Sequence, residues 1–331
     1  MLKMNIKNIL LCLLLGLLCF SSCKQDAKKT VPTVEKPRVK VPAFNSDSAF
    51  QFVAKQLEFG IRVPGTESHR ACRDWFIQKF ESYGADVISQ DFTATIYTGE
   101  KWPASNIIAR FNPDKKERVI LSAHWDSRFI AEEDPDEGRK DNPIPGADDG
   151  ASGVGVLIEI ARIIQNNPID LGVDIILWDA EDQGERGNAN NDWWCLGSQY
   201  WCKNMHTKNY RAKYGINLDM VGAKNPTFCK DEVSRVYAGQ ILNKVWGLAQ
   251  NMGYSDMFVD KNTSGLVDDH TYVNQLAKIP MIDIINQPEG KSFVDHWHTH
   301  ADDLSAINKR TLRVVGQVVT AVIYKESDGS L

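Results

Sequence analysis

The stretch from Val119 to Asp182 decides the fold. It opens with Val119-Ile-Leu-Ser-Ala-His-Trp-Asp126, passes through Pro145-Gly-Ala-Asp-Asp-Gly-Ala-Ser-Gly153 into Val154–Gln165, and ends with Val173-Asp-Ile-Ile-Leu-Trp178 and Asp179-Ala-Glu-Asp182. Val119–Ser122 and Val173–Trp178 are short, mainly apolar runs, as expected of strands covered on both faces of a sheet. Val154–Gln165 places apolar residues at helical spacing. Strand, helix and strand in succession make a parallel crossover unit. Outward from it, Asn106–Phe111, Gly215–Leu218 and Ile279–Ile285 read as further strands, and Phe50–Phe59, Ala71–Tyr83, Val236–Met252 and Ile307–Tyr324 as helices. Ser68 is the N-cap expected for the second of these helices. The expected architecture is α/β: a three-layer sandwich around a mostly parallel central mixed sheet, in a single catalytic domain covering 44–331. No internal repeat interrupts it.

The ends behave differently. Lys3 and Lys7 precede the weakly polar run Ile9–Phe20 and then Ser21-Ser-Cys23. A basic start, about a dozen apolar residues and small residues before a cut site read as an export signal over 1–22. Cys23 after two small residues resembles a bacterial lipoprotein signal, which implies an acylated thiol and a membrane anchor. Phe20 stands where that motif has an aliphatic residue, so release into the periplasm is the alternative. Residues 23–43, rich in Lys, Pro, Val and Thr, are expected to be a flexible tether in an exported bacterial envelope protein. From Phe44 onward the chain has 30 basic and 41 acidic residues, a net charge of −11. A body that acidic excludes nucleic acid as a partner. A monomer is the expectation. Of the four body cysteines, Cys195 and Cys202 are the favoured disulfide pair, with free buried thiols at Cys72, Cys195, Cys202 and Cys229 as the alternative.

In open sheets of this class ligands bind outside the carboxyl ends of the strands, and polar motifs stand where the apolar runs stop. His124 and Asp126 follow the first strand of the crossover, Glu181 and Asp182 the second, and Asp219 follows Leu218. Asp283 lies in the last strand, which leads toward His296-Trp-His298, and Asp148-Asp149 opens the crossover helix. Taken singly, Asp149 suits an N-cap, Asp219 a turn and His298 a surface. Together, carboxylates and imidazoles from separate strand ends converge, and mixed oxygen and nitrogen ligation suits zinc.

These residues carry a resemblance. His124-Trp-Asp126, Pro145–Gly153, Glu181-Asp182 and His298-Thr299 resemble the ligand motifs of the zinc aminopeptidase superfamily. Within it, Leu218–Phe228, Val267-Asp-Asp-His270 and Trp297-His-Thr299 are more similar to animal-type glutaminyl cyclase, or glutaminyl-peptide cyclotransferase. The resemblance runs from Gly60 to the C-terminus. It implies one Zn2+ ion held by Asp149, Asp182 and His298, with Asp182 standing where the animal enzymes carry Glu. It implies Glu181 as general acid and base, and Asp268 paired with Asp219. It makes Trp297 and one of Trp193 or Trp194 indole walls of a pocket, with Asn225–Phe228 at its rim, and puts Asp283 where the animal enzymes have His. The implied reaction converts the N-terminal Gln of peptides and proteins to pyroglutamate and releases ammonia. The alternative from the same superfamily is a dinuclear aminopeptidase, with His124 and Asp219 completing a second site bridged by Asp149. A non-catalytic peptide-binding lipoprotein is the third reading.

Overall fold

The computed structural model describes residues 39–187, 191–288, 290 and 293–331. The export signal, Cys23 and most of the tether lie outside the described residues. The first helix, α1 (Ser46–Glu58), starts where the Asn45 side chain accepts from the N–H groups of Asp47 and Ser48. The second, α2 (Glu67–Ser82), is capped by Thr66, whose hydroxyl accepts from His69 N. The expectation of Ser68 as that cap is corrected: Ser68 lies inside the first turn and donates its hydroxyl to the Ile61 carbonyl instead.

The remaining elements follow as β1 (Asp86–Thr95), β2 (Lys101–Phe111), β3 (Arg118–His124), α3 (Ala151–Asn166), β4 (Gly172–Trp178), α4 (Leu196–Lys203), β5 (Gly215–Asp219), β6 (Phe228–Lys230), α5 (Glu232–Asn251), β7 (Phe258–Asn262), α6 (Asp269–Tyr272), β8 (Met281–Ile285) and α7 (Lys309–Asp328). Six strands form one sheet in the order β1-β2-β4-β3-β5-β8. β1, β2 and β4 pair antiparallel, whereas β4, β3, β5 and β8 run parallel. β6 and β7 form a separate parallel pair.

Alternation along the strands divides the interior into two layers. Ile107, Ala109, Val119, Leu121, Val173, Ile175 and Leu177 face a large core shared with α1, α2, α3, α5 and α7. Ile108, Ile120, Ile176 and Trp178 face the opposite side, packed with Trp201 of α4, Tyr210 and Val273. The three-layer sandwich is therefore as the sequence leads one to expect. β3 and β4 have apolar residues for each layer, which is why they read as continuous apolar runs. Where α3 crosses the sheet, Gly153 lets the backbones meet: a Cβ there would stand 2.5 Å from the Leu218 carbonyl oxygen.

The favoured disulfide is corrected as well. Cys195 and Cys202 form no disulfide. Cys195 is the N-cap of α4 and Cys202 lies near its C-terminal end, so about two helical turns, ~10 Å of rise, separate them. A disulfide needs Cα atoms within about 7 Å.

Candidate metal centre and active site

The strand ends build the site from the backbone outward. After β3, Trp125 N donates to Trp178 O at 3.0 Å, which prolongs the pairing with β4. This brings the buried Asp126 carboxylate beneath the next turn, where it accepts from Glu181 N at 3.1 Å, Asp182 N at 3.2 Å and Gln183 Nε2 at 2.8 Å. Ala180 takes a left-handed conformation with φ of 52°, and its N–H donates to Asp179 at 2.8 Å. That bend lets consecutive carboxylates, Glu181 and Asp182, face different neighbours. At the head of α3, Asp302 accepts from the N–H groups of Asp148 and Asp149 at 2.7 and 3.1 Å. Gly150 follows at φ of 102°, and a Cβ there would meet Asp126 O at 2.6 Å. Asp148 is consumed structurally, accepting from Gly222 N and lying 2.9 Å from His296 Nε2. Asp149 instead turns its carboxylate between His124 and His298.

Asp149, Asp182 and His298 each offer one ligand atom, all within 4.8 Å of one another, and all three residues are buried. His298 Nε2 lies 2.9 Å from Asp182 Oδ1 and 3.8 Å from Asp149 Oδ2. The shorter arm of Asp182 therefore reaches the imidazole, aided by Arg128, which donates to its main-chain oxygen at 2.8 Å. Asp149 Oδ2 and Asp182 Oδ2 are buried with no hydrogen-bond partner. Two orphaned carboxylate oxygens beside an imidazole nitrogen fit a zinc ion. The far side of the ring fits too: His298 Nδ1 lies 2.9 Å from Glu132 Oε1, the carboxylate–histidine arrangement that orients a metal-binding imidazole. His298 itself sits at φ of 53°, a conformation costing about 1 kcal/mol or more for a non-glycine residue. Its neighbours are engaged elsewhere, His296 with Asp148 and His300 Nδ1 with Asp134 at 2.7 Å. His124, Asp149 and Asp219 form a second group within the same 4.8 Å limit, with His124 Nε2 2.9 Å from Asp149 and 3.4 Å from Asp219.

The electrostatics reflect the crowding of acids. Burial, reinforced by Asp149, pushes Asp182 up to about 6 against the pull of His298 and Arg128. Despite its burial, His298 is held up at about 8 by Asp182 and Glu132, while Glu132, also against burial, is held down at about 2 by His298 and Arg128. Burial and the carboxylates of Asp182, Asp269 and Asp268 raise Glu181 well above the usual carboxyl range, outweighing His124. Burial, then Asp268 and Asp149, lift Asp219 to about 8, and burial with Asp268 lifts Asp283 well above its ordinary value.

A cavity of about 270 Å³ opens over this cluster, lined among others by Glu181, Asp219, Asp268, Trp194, Trp297 and His298. Trp297 stacks on the His298 ring at 3.5 Å between centroids. Trp194 lies parallel to the same ring at 6.2 Å, with the Arg128 guanidinium 4.8 Å over its face. Of the two adjacent indoles, Trp194 is thus the one in the wall; Trp193 ends the preceding 3-10 turn and does not line the cavity. Two further expectations are corrected. Phe228 is fully buried in β6 against Phe258, because alternation in that short strand turns it into the core. Asp283 is fully buried in β8 and does not line the cavity; strand pairing places it opposite Asn217 of β5, whose Nδ2 lies 3.1 Å from Asp268 and 3.4 Å from Asp283. His270 supports this group from behind, 3.2 Å from Asp231. Sequence reasoning missed Glu132, Arg128 and Asp302. Asp302 left a trace, four residues beyond His298; Glu132, in the acidic run Glu132-Glu-Asp134, left none.

A description of peptidase family M28 matches residues 106–323. The chain belongs to this family. Among solved structures, a Zn-dependent exopeptidase from Parabacteroides distasonis is 46% identical with a TM-score of 0.84, over 86% of this chain and 99% of that one. A Bacteroides thetaiotaomicron glutaminyl cyclase bound to N-acetylhistamine is 45% identical, with the same TM-score and the same coverage. Aminopeptidase YwaD of Bacillus subtilis is 28% identical over 62% of this chain; the match spans 40% of its own length, less than half of that relative. Exopeptidase and glutaminyl cyclase are thus both names carried by solved chains of this architecture.

Proposed function

We propose that this M28 chain is a zinc-dependent glutaminyl-peptide cyclotransferase, converting N-terminal Gln of peptides and proteins to pyroglutamate with release of ammonia. The observation that carries the reading is the acid group of Asp219 and Asp268 in the cavity wall, with the buried Asp283 behind it. Burial, with the carboxylates of Asp268 and Asp149, raises Asp219 to about 8, which favours a proton there over the charge a second metal ligand needs. One ion is therefore expected, held by Asp149, Asp182 and His298. Bound there, zinc supplies Lewis acidity toward a carboxamide.

The chain's own residues do the rest. Trp194 and Trp297 form flat apolar walls that suit a neutral γ-carboxamide and disfavour a charged γ-carboxylate. They hold the glutamine side chain folded back on its own α-amine, so that the attack is intramolecular. Glu181, with its raised proton affinity, takes a proton as the amine nitrogen bonds to the γ-carbonyl carbon. It returns that proton to the amide nitrogen as the carbon–nitrogen bond breaks and ammonia leaves. Asp219 and Asp268 sit beside the path and orient the transfer.

The second reading, a dinuclear aminopeptidase, draws on the proximity of His124, Asp149 and Asp219. One experiment separates the two: the purified protein with a Gln-initiated peptide and a Leu-initiated chromogenic amide, with metal content measured on the same sample. Ammonia release from the Gln peptide, no cleaved amide and one zinc per chain are expected. Released leucine with two ions per chain would replace cyclisation by hydrolysis. We further propose export to the bacterial envelope and a lipid anchor at Cys23, supported by the Lys3–Cys23 pattern. Mass spectrometry of the mature N-terminus checks it; an unmodified N-terminus elsewhere would sink the anchor.

A further inference from the structure

Cys195 has no role in the reaction as derived above, yet its placement is unusual. It is the N-cap of α4 but caps nothing with its side chain, and it sits in the left-handed region with φ of 56° and ψ of 39°. An N-cap ordinarily adopts extended backbone, and a left-handed non-glycine residue is strained. What the conformation achieves is attachment to the Glu181 turn. Cys195 N donates to Glu181 O at 2.8 Å and Leu196 N to Ala180 O at 3.1 Å. The two backbones run as a short ladder, and the thiol of Cys195 then lies 3.1 Å from Glu181 Oε1.

The residue is fully buried, and burial together with the Glu181 carboxylate keeps the thiol protonated, well above its ordinary range. As a protonated thiol it is a hydrogen-bond donor to that carboxylate. Glu181 has two oxygens: Oε1 faces this donor, while Oε2 stands 4.0 Å from His124 Nδ1. A thiol is a weak donor, so it fixes the rotation of the carboxyl without tying up the charge that must accept a proton.

We propose that Cys195 is a positioning residue that locks the Glu181 carboxyl, holding Oε1 so that Oε2 is the oxygen presented to substrate. The inference rests on the proton-transfer role of Glu181. A misdirected catalytic group loses rate while substrate binding is unaffected, so the signature is a split between kcat and KM.

The test compares Cys195→Ala, Cys195→Ser and Cys195→Gly in the zinc-loaded full chain. Cys195→Ala should lower kcat roughly tenfold, with KM within about twofold and zinc content unchanged. Cys195→Ser restores a donor and should recover kcat to within about threefold of the native enzyme. Cys195→Gly suits the positive φ, so it should keep melting behaviour near native while kcat stays as low as in the alanine variant. A packing role predicts the opposite order, serine no better than alanine and activity tracking stability across the three; that result overturns the proposal. In a Glu181→Gln background, Cys195→Ala should have no further effect on residual turnover, and an undiminished loss there would also overturn it. If Glu181→Gln alone keeps native kcat, the role of Glu181 itself has failed, and that outcome is read before any cysteine variant.

Discussion

Two adjacent carboxylates with different jobs are the centre of the site at residue scale. Asp182 and Glu181 share one turn, both N–H groups held by Asp126, yet one carboxylate meets His298 and the other meets Cys195 and the cavity. We expect Glu181→Gln to reduce kcat by at least about a hundredfold, the lower range for loss of a general acid–base, while zinc content measured by atomic emission stays at the native level. Loss of metal together with activity would make Glu181 a ligand. Glu132 acts one step further out, on the Nδ1 side of His298. Glu132→Gln keeps an oxygen there but removes the charge, and zinc affinity measured by chelator competition should weaken about 10- to 100-fold. Unchanged affinity would reduce Glu132 to a surface partner of Arg128. The Asp182 position illustrates how residue-level reading succeeds and stops. The Glu181-Asp182 pair is legible as chemistry, but whether the shorter side chain reaches the imidazole depends on the left-handed turn at Ala180, which no sequence period announces.

The elements that carry these groups were legible wherever burial imposed a period. β3, β4, β5 and β8 face packed layers on both sides, so their runs are apolar and visible; α3 and α7 repeat apolar residues at helical spacing for the same reason. β1 was not visible. It lies at the sheet edge with mostly half-exposed residues, and its mixed sequence, Asp86-Val-Ile-Ser-Gln-Asp-Phe-Thr-Ala-Thr95, follows from having water on much of its surface. The short β6–β7 pair was missed likewise, and with it the inward direction of Phe228. The closest element contact relevant to the site is α3 against β3 and β5 at Gly153. Gly153→Ala must push Cβ toward Leu218 O at 2.5 Å and Ala123 Cβ at 2.8 Å. We expect a loss of about 2 kcal/mol in urea unfolding, with kcat lowered as the head of α3 shifts Asp149. A neutral result would mean that α3 can slide on the sheet without cost.

Over the whole molecule, acid stability has a source remote from the site. His206 is pushed down to about 4 from an ordinary 6.5, chiefly by burial, and its Nδ1 accepts from Trp201 Nε1 at 3.0 Å. Between those two values the unfolded chain binds a proton that the folded chain refuses, so stability present above 6.5 is lost as pH falls toward and through 4. His206→Asn retains an acceptor for Trp201 and should flatten that loss, seen as a smaller change in denaturant midpoint between pH 7 and 4.5 than in the native chain. Equal changes in both proteins would refute it.

The sequence by itself determined the layered α/β architecture, the alternation of strands and helices along the crossover segment and the residue types that follow the strands, because hydrophobic periodicity is a local record of which faces exclude water. The resemblance of His298-Thr299 to a family motif is what singled out His298 over His296 and His300. Only the tertiary structure decided which indole walls the cavity, that Phe228 and Asp283 lie behind the site, that Cys195 faces Glu181 and not Cys202, and that Glu132 and Asp302 brace the ligands. Those are contacts between segments far apart in the chain, set by strand register and by left-handed turns at Ala180, Cys195 and His298, and composition and spacing do not encode such geometry.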